Sequence, residues 1–197
     1  MKYLLVSLIF PLVLNSCGVL QPVKDTTVHH LLEPAVSDRL VTGSSPVIAI
    51  ARPALPSYLD REQLVSRSGN GQLQMNNYHL WAEPLDAAIS RVTATNLALL
   101  KNSLNIQPVE TFITLDYQSI LEIRISRFET DDAGSVVLEC TWKLQPVSGR
   151  IANTRPFRTI IPVSTEPSTT TAATLTGRVA AMNECLARLA REIARSL

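Results

Sequence analysis

Apolar and polar residues alternate over two neighbouring segments in the second half of the chain, and this pattern predicts a β-hairpin. The apolar residues Leu121, Ile123 and Ile125 are separated by charged residues. After a turn at residues 130–134 the alternation resumes over residues 136–144. A period of two is typical of a strand with one buried face and one solvated face. We therefore predict two antiparallel strands whose outer face is wet.

Two longer segments repeat apolar residues every three or four positions, as the inner face of a helix does. The first runs from about residue 84 to residue 101, where Pro84 suits the first position of a helix and Asn102 ends it. The second runs from Leu175 to Ser196 and predicts a long amphipathic C-terminal helix packed on the sheet. A coiled coil with another helix is the alternative interpretation of this second stripe.

Shorter β-prone segments complete the predicted sheet. Residues 47–51 form one strand, residues 64–67 and 72–75 form a hairpin, and residues 111–115 and 157–163 flank the longer strands. Prolines place the last of these segments at an edge of the sheet. The elements together predict an α+β fold, in which a mostly antiparallel sheet of about five to six strands packs against two main helices.

The first 16 residues have the pattern of a signal peptide. Lys2 precedes an apolar run that ends at Leu14, which is shorter than the roughly 20 residues needed to span a bilayer. The following residues, Leu14-Asn15-Ser16-Cys17, resemble the lipobox of bacterial lipoproteins. The resemblance implies cleavage after Ser16 and attachment of lipid to Cys17.

The rest of the chain is expected to divide into a tether and one domain. Repeated Pro, Gly, Ser and Thr positions in residues 17–45 interrupt any periodicity and predict a flexible, lipid-anchored tether. Residues 46–197 have a length that suits a single domain. His29 and His30 are adjacent within the tether and lack the spacing of paired metal ligands on a helix. No metal site is predicted from them.

Composition excludes a nucleic-acid-binding function based on bulk charge. Loss of Lys2 from 18 basic residues leaves 17 against 17 acidic ones, so the mature chain has no net charge. Apart from Cys17, the chain contains Cys140 and Cys185, which we expect to lie in an oxidising compartment. They either form a disulfide or remain buried as small apolar side chains.

The sequence contains no recognisable catalytic constellation. A nucleophilic hydrolase needs a serine or cysteine beside a histidine base, and His79 is the only histidine beyond the tether. Cys140 and Cys185 stand 45 residues apart and lack the closely spaced ligand pairs of zinc sites. We predict no cofactor and no enzyme activity; the alternative, a periplasmic enzyme, requires a polar pocket around His79.

Two short runs carry a resemblance to a known family. Residues 55–67 have the sequence LPSYLDREQLVSR, and residues 81–85 have the sequence WAEPL at the start of the first predicted helix. Both runs resemble the auxiliary lipoproteins of ABC-type transporters, the family of the paraquat-inducible PqiC protein. The resemblance implies a non-enzymatic subunit of a trans-envelope lipid transport system. Its implied partner is a membrane-anchored MCE-domain protein that carries lipid across the periplasm.

Five residues of these runs are candidates for a partner surface, because exposed aromatic and arginine side chains favour interfaces. They are Tyr58, Asp60, Arg61, Arg67 and Trp81. For each of them the alternative is a structural role at the entry to the sheet or over the core. Lipid and a second copy of the chain are further candidate partners.

The residue after the lipidation site indicates which membrane holds the lipid anchor. In lipoproteins of the enterobacterial type an aspartate there signals retention in the inner membrane, whereas this chain has Gly18 after Cys17. We therefore expect a lipid anchor in the outer membrane, with the domain on its periplasmic side. An envelope assembly or adaptor lipoprotein unrelated to lipid movement is the alternative function.

Overall fold

The computed structural model describes residues 26–36, 40–111, 116–164 and 171–197. Residues 1–17 lie outside these ranges, as do residues 112–115 of the strand expected at 111–115. The strands are β1 (Val28–His30), β2 (Ile48–Ile50), β3 (Gln63–Arg67), β4 (Leu73–Trp81), β5 (Ile106–Pro108), β6 (Ser119–Thr130), β7 (Ser135–Pro146) and β8 (Arg155–Pro162). The helices are α1 (Leu85–Lys101) and α2 (Thr171–Ala194), and a short 3-10 helix, Val109–Thr111, follows β5.

The predicted hairpin is confirmed as β6 and β7, the two longest strands. Leu121, Ile123 and Ile125 are buried on its inner face, and alternate residues of both strands face outward. The pairing register shifts between Ile125 and Arg127, which makes Ser126 the extra residue of a β-bulge. Beyond the bulge, the inward-facing positions of β6 are displaced by one residue relative to the alternation before it.

Within the described ranges the sheet is mixed and has eight strands, so the expectation of a mostly antiparallel sheet with five to six strands is wrong. β7 pairs along one edge of β6, and β8 continues the sheet beyond it, both antiparallel. The other edge of β6 is shared by β2 at its start and β3 at its end, and both pairings are parallel. β1 also pairs in parallel with β4, as β5 does with β2. Alternation reveals which residues face inward, but it contains no information on strand direction.

The predicted first helix is confirmed almost to the residue. Pro84 occupies the N-cap of α1, and Asn102 adopts the left-handed conformation at its C-cap, where its N–H donates to the carbonyl oxygen of Ala98. Asparagine tolerates this conformation better than most residues, which explains why the helix ends there.

The second helix is also confirmed and packs on the core. Leu175, Leu186, Leu189 and Ile193 of α2 are buried against α1 and the inner face of β7 and β8. The apolar stripe therefore serves the core of this chain. Within the described ranges, no helix combines the length and the apolar character needed to cross a membrane.

Packing against the domain begins earlier than residue 46. β1 pairs with β4, Leu32 is fully buried, and the N–H of Glu33 donates to Oδ1 of Asn183 at 3.0 Å. The N–H of Val36 donates to Oδ1 of Asn96 at 3.3 Å. The expectation of a flexible tether up to residue 45 is wrong for residues 28–36, because side-chain amides on the helices hold an extended backbone that has no periodicity of its own.

Candidate partner-binding surface

The run 55–67 follows the edge of β6 that β2 and β3 leave uncovered. Just before it, the N–H of Ala54 donates to the carbonyl oxygen of Ile123 at 3.0 Å, and the carbonyl of Ala54 accepts from the N–H of Ile125 at 2.9 Å. Further along, Oη of Tyr58 lies 3.2 Å from the carbonyl oxygen of Ser126 at the bulge. Ala54 and the run together fill a gap in the sheet: Ala54 bonds to β6 through its backbone, and Tyr58 bonds to it through its side chain.

Glu129 is the polar centre of this gap, and its side chain is completely buried. Oε2 lies 3.0 Å from Oη of Tyr58 and accepts from the N–H of Phe128 at 2.9 Å. Oε1 accepts from Nε of Arg67 at 2.7 Å and from Nε of Arg127 at 3.1 Å. A buried carboxylate is tolerated when hydrogen bonds and opposite charges compensate it in this way.

The surroundings of Glu129 fix the protonation of its neighbours. Burial, followed by the charge of Glu129, raises the pKa of Tyr58, so the phenol stays neutral. The hydrogen bond from Arg67 to Glu129 raises the pKa of Arg67, whose guanidinium also lies 5.1 Å from the centre of the Tyr58 ring. Tyr58 and Arg67 therefore both contact Glu129 within this chain.

Sequence reasoning missed Glu129, although this residue belongs to a network of ion pairs that crosses four strands. In order, the network contains Arg158, Glu139, Arg127, Glu129 and Arg67, with N–O distances of 3.0, 3.8, 3.1 and 2.7 Å between successive members. Opposite charges on adjacent strands stabilise a sheet. The signal in the sequence is weak, because each member resembles an ordinary charged residue on the outer face of a strand.

The two runs that resemble the family meet at one groove of about 280 Å³, which we call the motif groove. It is lined by residues 60–62 from the first run and residues 81–85 from the second. The N–H of Trp81 donates to the carbonyl oxygen of Glu62 at 2.6 Å, which joins the two runs directly. Trp81 itself is 6% exposed and belongs to the core beneath the groove.

Arg61 has an incompletely satisfied guanidinium at this groove. Nη1 lies 2.8 Å from Sδ of Met75, and Nε is buried with no hydrogen-bond partner among the described residues. A buried donor without an acceptor destabilises the free protein. Asp60 and Glu62, beside it, are exposed acids. The motif groove therefore presents one cation with unused donor capacity between two anions, which suits a polar segment of another protein.

A larger groove of about 520 Å³ lies on the face of the sheet opposite the helices. Two of its cations are already paired, Arg52 with Glu110 at 2.6 Å and Lys143 with Glu122 at 3.0 Å. Arg124, also in this groove, makes no ion pair within the ranges described. Most of the charge on this surface is therefore balanced by the chain itself.

His30 on β1 and His79 on β4 link these two strands through their side chains. Nε2 of His30 lies 2.9 Å from Nδ1 of His79, and the two rings stack with their centres 5.2 Å apart. Burial, and then the neighbouring His79 and His29, lowers the pKa of His30. In the described part of the chain, no group of three or more His, Cys, Asp or Glu side chains is placed to hold a metal ion.

Cys140 on β7 and Cys185 on α2 are both buried free thiols. Burial raises the pKa of each to about 12. Because the thiolate is the reactive form of cysteine, neither residue is an available nucleophile at neutral pH.

A family model for the ABC-type transport auxiliary lipoprotein component matches residues 30–194. The chain belongs to this family. The match confirms the resemblance to PqiC-like lipoproteins and includes both runs that line the motif groove. The family's description is that of a transport component, and its lipoprotein character associates the chain with the cell envelope. No curated protein matches the chain.

Two solved structures share the fold. The crystal structure of an uncharacterized protein has a TM-score of 0.64 and 18% identity, and the match covers 85% of this chain and 99% of that one. The crystal structure of protein XCC0632 from Xanthomonas campestris has a TM-score of 0.63 and 20% identity, with coverage of 85% and 92%. At this level of identity the two structures support the fold alone.

Proposed function

We propose that this chain is the outer-membrane lipoprotein subunit of an MCE-type trans-envelope lipid transport system, and that it docks the periplasm-spanning MCE-domain protein to the outer membrane. The proposal rests on membership of the transport auxiliary family. The observation that supports a specific docking site is the motif groove, where the two family-like runs form one surface.

Within the motif groove, Arg61 and Asp60 make the contacts with the partner. A carboxylate or carbonyl of the partner accepts from the guanidinium of Arg61, whose Nη1 is paired in the described structure with the weak acceptor Sδ of Met75. Arginine is enriched among residues that dominate binding energies because it combines several donors with a broad apolar stem. Trp81 supports the groove from the core beneath it, while Tyr58 and Arg67 contact Glu129 beside β6.

Cys17 carries the anchor. Each buried CH₂ of an attached acyl chain contributes about 0.8 kcal/mol, so several chains give a durable attachment. Ten residues separate Cys17 from the start of β1 at Val28, and a fully extended chain of that length spans at most about 35 Å. The motif groove therefore stays near the periplasmic surface of the membrane, where a protein that crosses the periplasm would reach it.

The docking site is tested by recovering the tagged chain from envelope membranes and measuring the MCE-domain protein and the lipid that accompany it. Asp60→Ala and Arg61→Ala are expected to reduce recovery of the MCE-domain protein several-fold without a fall in the melting temperature. The matched control is Arg150→Ala, which removes an exposed arginine far along the chain from both runs. Full recovery by both variants would contradict the site.

The same experiment tests the broader proposal. Recovery of other envelope proteins without any MCE-domain protein, in the unmodified chain, would favour the adaptor function instead. Replacement of Cys17 by serine is expected to move the folded chain from the membrane fraction to the soluble fraction. Persistent membrane attachment of that variant would contradict anchoring through Cys17.

A further inference from the structure

A third groove, of about 240 Å³, lies between β8 and the end of α2, and four of the side chains that line it are arginines. These are Arg158 on β8 and Arg188, Arg191 and Arg195 at the end of the chain. We call it the arginine groove. The whole chain has a formal net charge of only +1, so four arginines at one small groove are a strong local concentration of positive charge.

The carboxylates around the arginine groove do not neutralise it. Nε of Arg188 and Nη1 of Arg191 both bind the same Oε1 atom of Glu184, at 3.3 and 3.0 Å. Glu139 is likewise shared, between Arg158 at 3.0 Å and Arg127 at 3.8 Å. Glu192, which also lines the groove, pairs with Arg195 alone, at 2.8 Å. Since Glu184 and Glu139 each serve two arginines, the groove still has a surplus of positive charge.

The donors of these arginines are accessible. The side chains of Arg158, Arg188, Arg191 and Arg195 are 63, 50, 41 and 74% exposed. A guanidinium has five N–H donors, and the ion pairs use one nitrogen of each. Arg188 is further positioned by its Nη1, which lies 3.4 Å from Oγ1 of Thr159 on β8. Helix and strand are thereby linked across the groove without closing it.

We propose that the arginine groove binds the phosphate group of an anionic phospholipid. The guanidinium fork matches the geometry of phosphate oxygens and binds them in pairs. Arg188 and Arg191 lie three residues apart on α2 and both line the groove, so their remaining donors are close enough to bind one small anion together. Phe157, partly buried in the wall of the groove, offers an apolar surface to the glycerol and the first carbons of the acyl chains.

The chemistry of the groove favours a phosphate headgroup over a protein segment. Its exposed donors are guanidinium groups, whose fork matches the paired oxygens of a phosphate. The arginine groove shares no lining residue with the motif groove. A lipid site here is therefore independent of the proposed docking of the MCE-domain protein.

The mature chain with Cys17→Ser, which lacks only the lipid, is mixed with vesicles of phosphatidylglycerol in phosphatidylcholine, with vesicles of phosphatidylcholine alone, and with inorganic phosphate. Saturable binding is expected to the vesicles that contain phosphatidylglycerol, measured by co-sedimentation. The double variant Arg188→Gln/Arg191→Gln is expected to weaken this binding by about tenfold or more. Arg188→Lys/Arg191→Lys keeps the charge but loses the fork, and is expected to recover only part of the affinity.

The matched control is Arg124→Gln/Arg150→Gln, which removes the same charge elsewhere on the surface. An equal loss in both glutamine variants would show attraction by bulk charge and overturn the site. Binding of inorganic phosphate without binding of vesicles would overturn the assignment to lipid. Because no partner protein is present, failure of this experiment leaves the docking proposal unaffected, and melting temperatures confirm that each variant is folded.

Discussion

Oη of Tyr58 lies 3.0 Å from Oε2 of Glu129. These two side chains complete the hydrogen bonding of β6 along the edge opposite β7, at the point that neither β2 nor β3 covers. The Tyr58 hydroxyl also lies 3.2 Å from the carbonyl oxygen of Ser126, while Glu129 accepts from the N–H of Phe128. Backbone groups left unpaired inside a sheet are costly. The pair therefore acts as a substitute for a strand at the bulge.

This relationship predicts a stability loss at Tyr58 without a change in surface charge. Tyr58→Phe removes one hydroxyl that bonds to a charged acceptor, and we expect the free energy of unfolding in urea to fall by about 1.5 kcal/mol. Tyr78→Phe is the control, because Tyr78 is 62% exposed and its hydroxyl has no such acceptor in the described structure. Glu129→Gln leaves Arg67 and Arg127 without their shared anion and is expected to cost about 3 kcal/mol or more. A Tyr58→Phe protein as stable as the parent would assign the hydroxyl to a partner surface instead.

The sequence was sufficient where local chemistry decides the structure. Pro84 and Asn102 specify the ends of α1 through backbone geometry that needs no tertiary partner, and the predicted limits agree with the observed helix. The β6 and β7 hairpin was predictable because alternation and an intervening turn are both local features.

Elements that depend on distant partners could not be predicted in this way. β1 and β5 are three-residue strands, each held in parallel by a segment far away in the sequence. Such short strands have no alternation to recognise. The candidate surface shows the same limit: Asp60 and Arg61 line the motif groove, whereas Trp81 is buried beneath it, and the residue type alone does not distinguish these two positions.

The two buried cysteines are predicted to be unreactive in the native protein. Because burial raises the pKa of both Cys140 and Cys185 to about 12, the thiolate fraction at pH 8 is negligible. The mature chain with Cys17→Ser is expected to show no reaction with a thiol reagent until denaturant is added, and then to release two thiols without any reductant. Detection of thiols only after reduction would mean that the disulfide, the other alternative from the sequence, forms in the envelope.

Attachment of β1 is predicted to weaken in mild acid. Folding lowers the pKa of His30 below its ordinary value of about 6.5, so the neutral imidazole is the form that the folded protein favours. The associated stability is present above about pH 6.5 and is lost as the pH falls toward the lowered pKa of the folded state. The protection factors of the β1 and β4 amides, which correct for the intrinsic pH dependence of exchange, are expected to fall between about pH 7 and pH 5 in the parent and much less in His30→Phe. Equal pH dependence of protection in parent and His30→Phe would contradict this mechanism.

Arg178 provides a prediction of increased stability. The residue lies on α2 beside a small cavity with Leu59, Trp81, Phe128 and Met182, and burial lowers the pKa of its guanidinium. It makes no ion pair with any carboxylate in the described ranges, so its charge is partly removed from water without compensation. Arg178→Met exchanges this charge for an unbranched apolar side chain of similar length, and we expect the free energy of unfolding to rise by up to about 1 kcal/mol after allowance for partial solvent exposure.

The gain from Arg178→Met should not depend on pH near neutrality, since arginine remains charged throughout that range. Arg195→Met is the control: it removes an arginine just beyond the C-terminal end of α2 whose side chain is 74% exposed, and it is expected to change stability by less than about 0.5 kcal/mol. Urea unfolding of the two variants at equal ionic strength tests whether Arg178→Met raises the free energy of unfolding more than Arg195→Met does. A loss of stability in Arg178→Met would mean that the guanidinium has a favourable partner, and it would remove the argument that burial of this charge opposes folding.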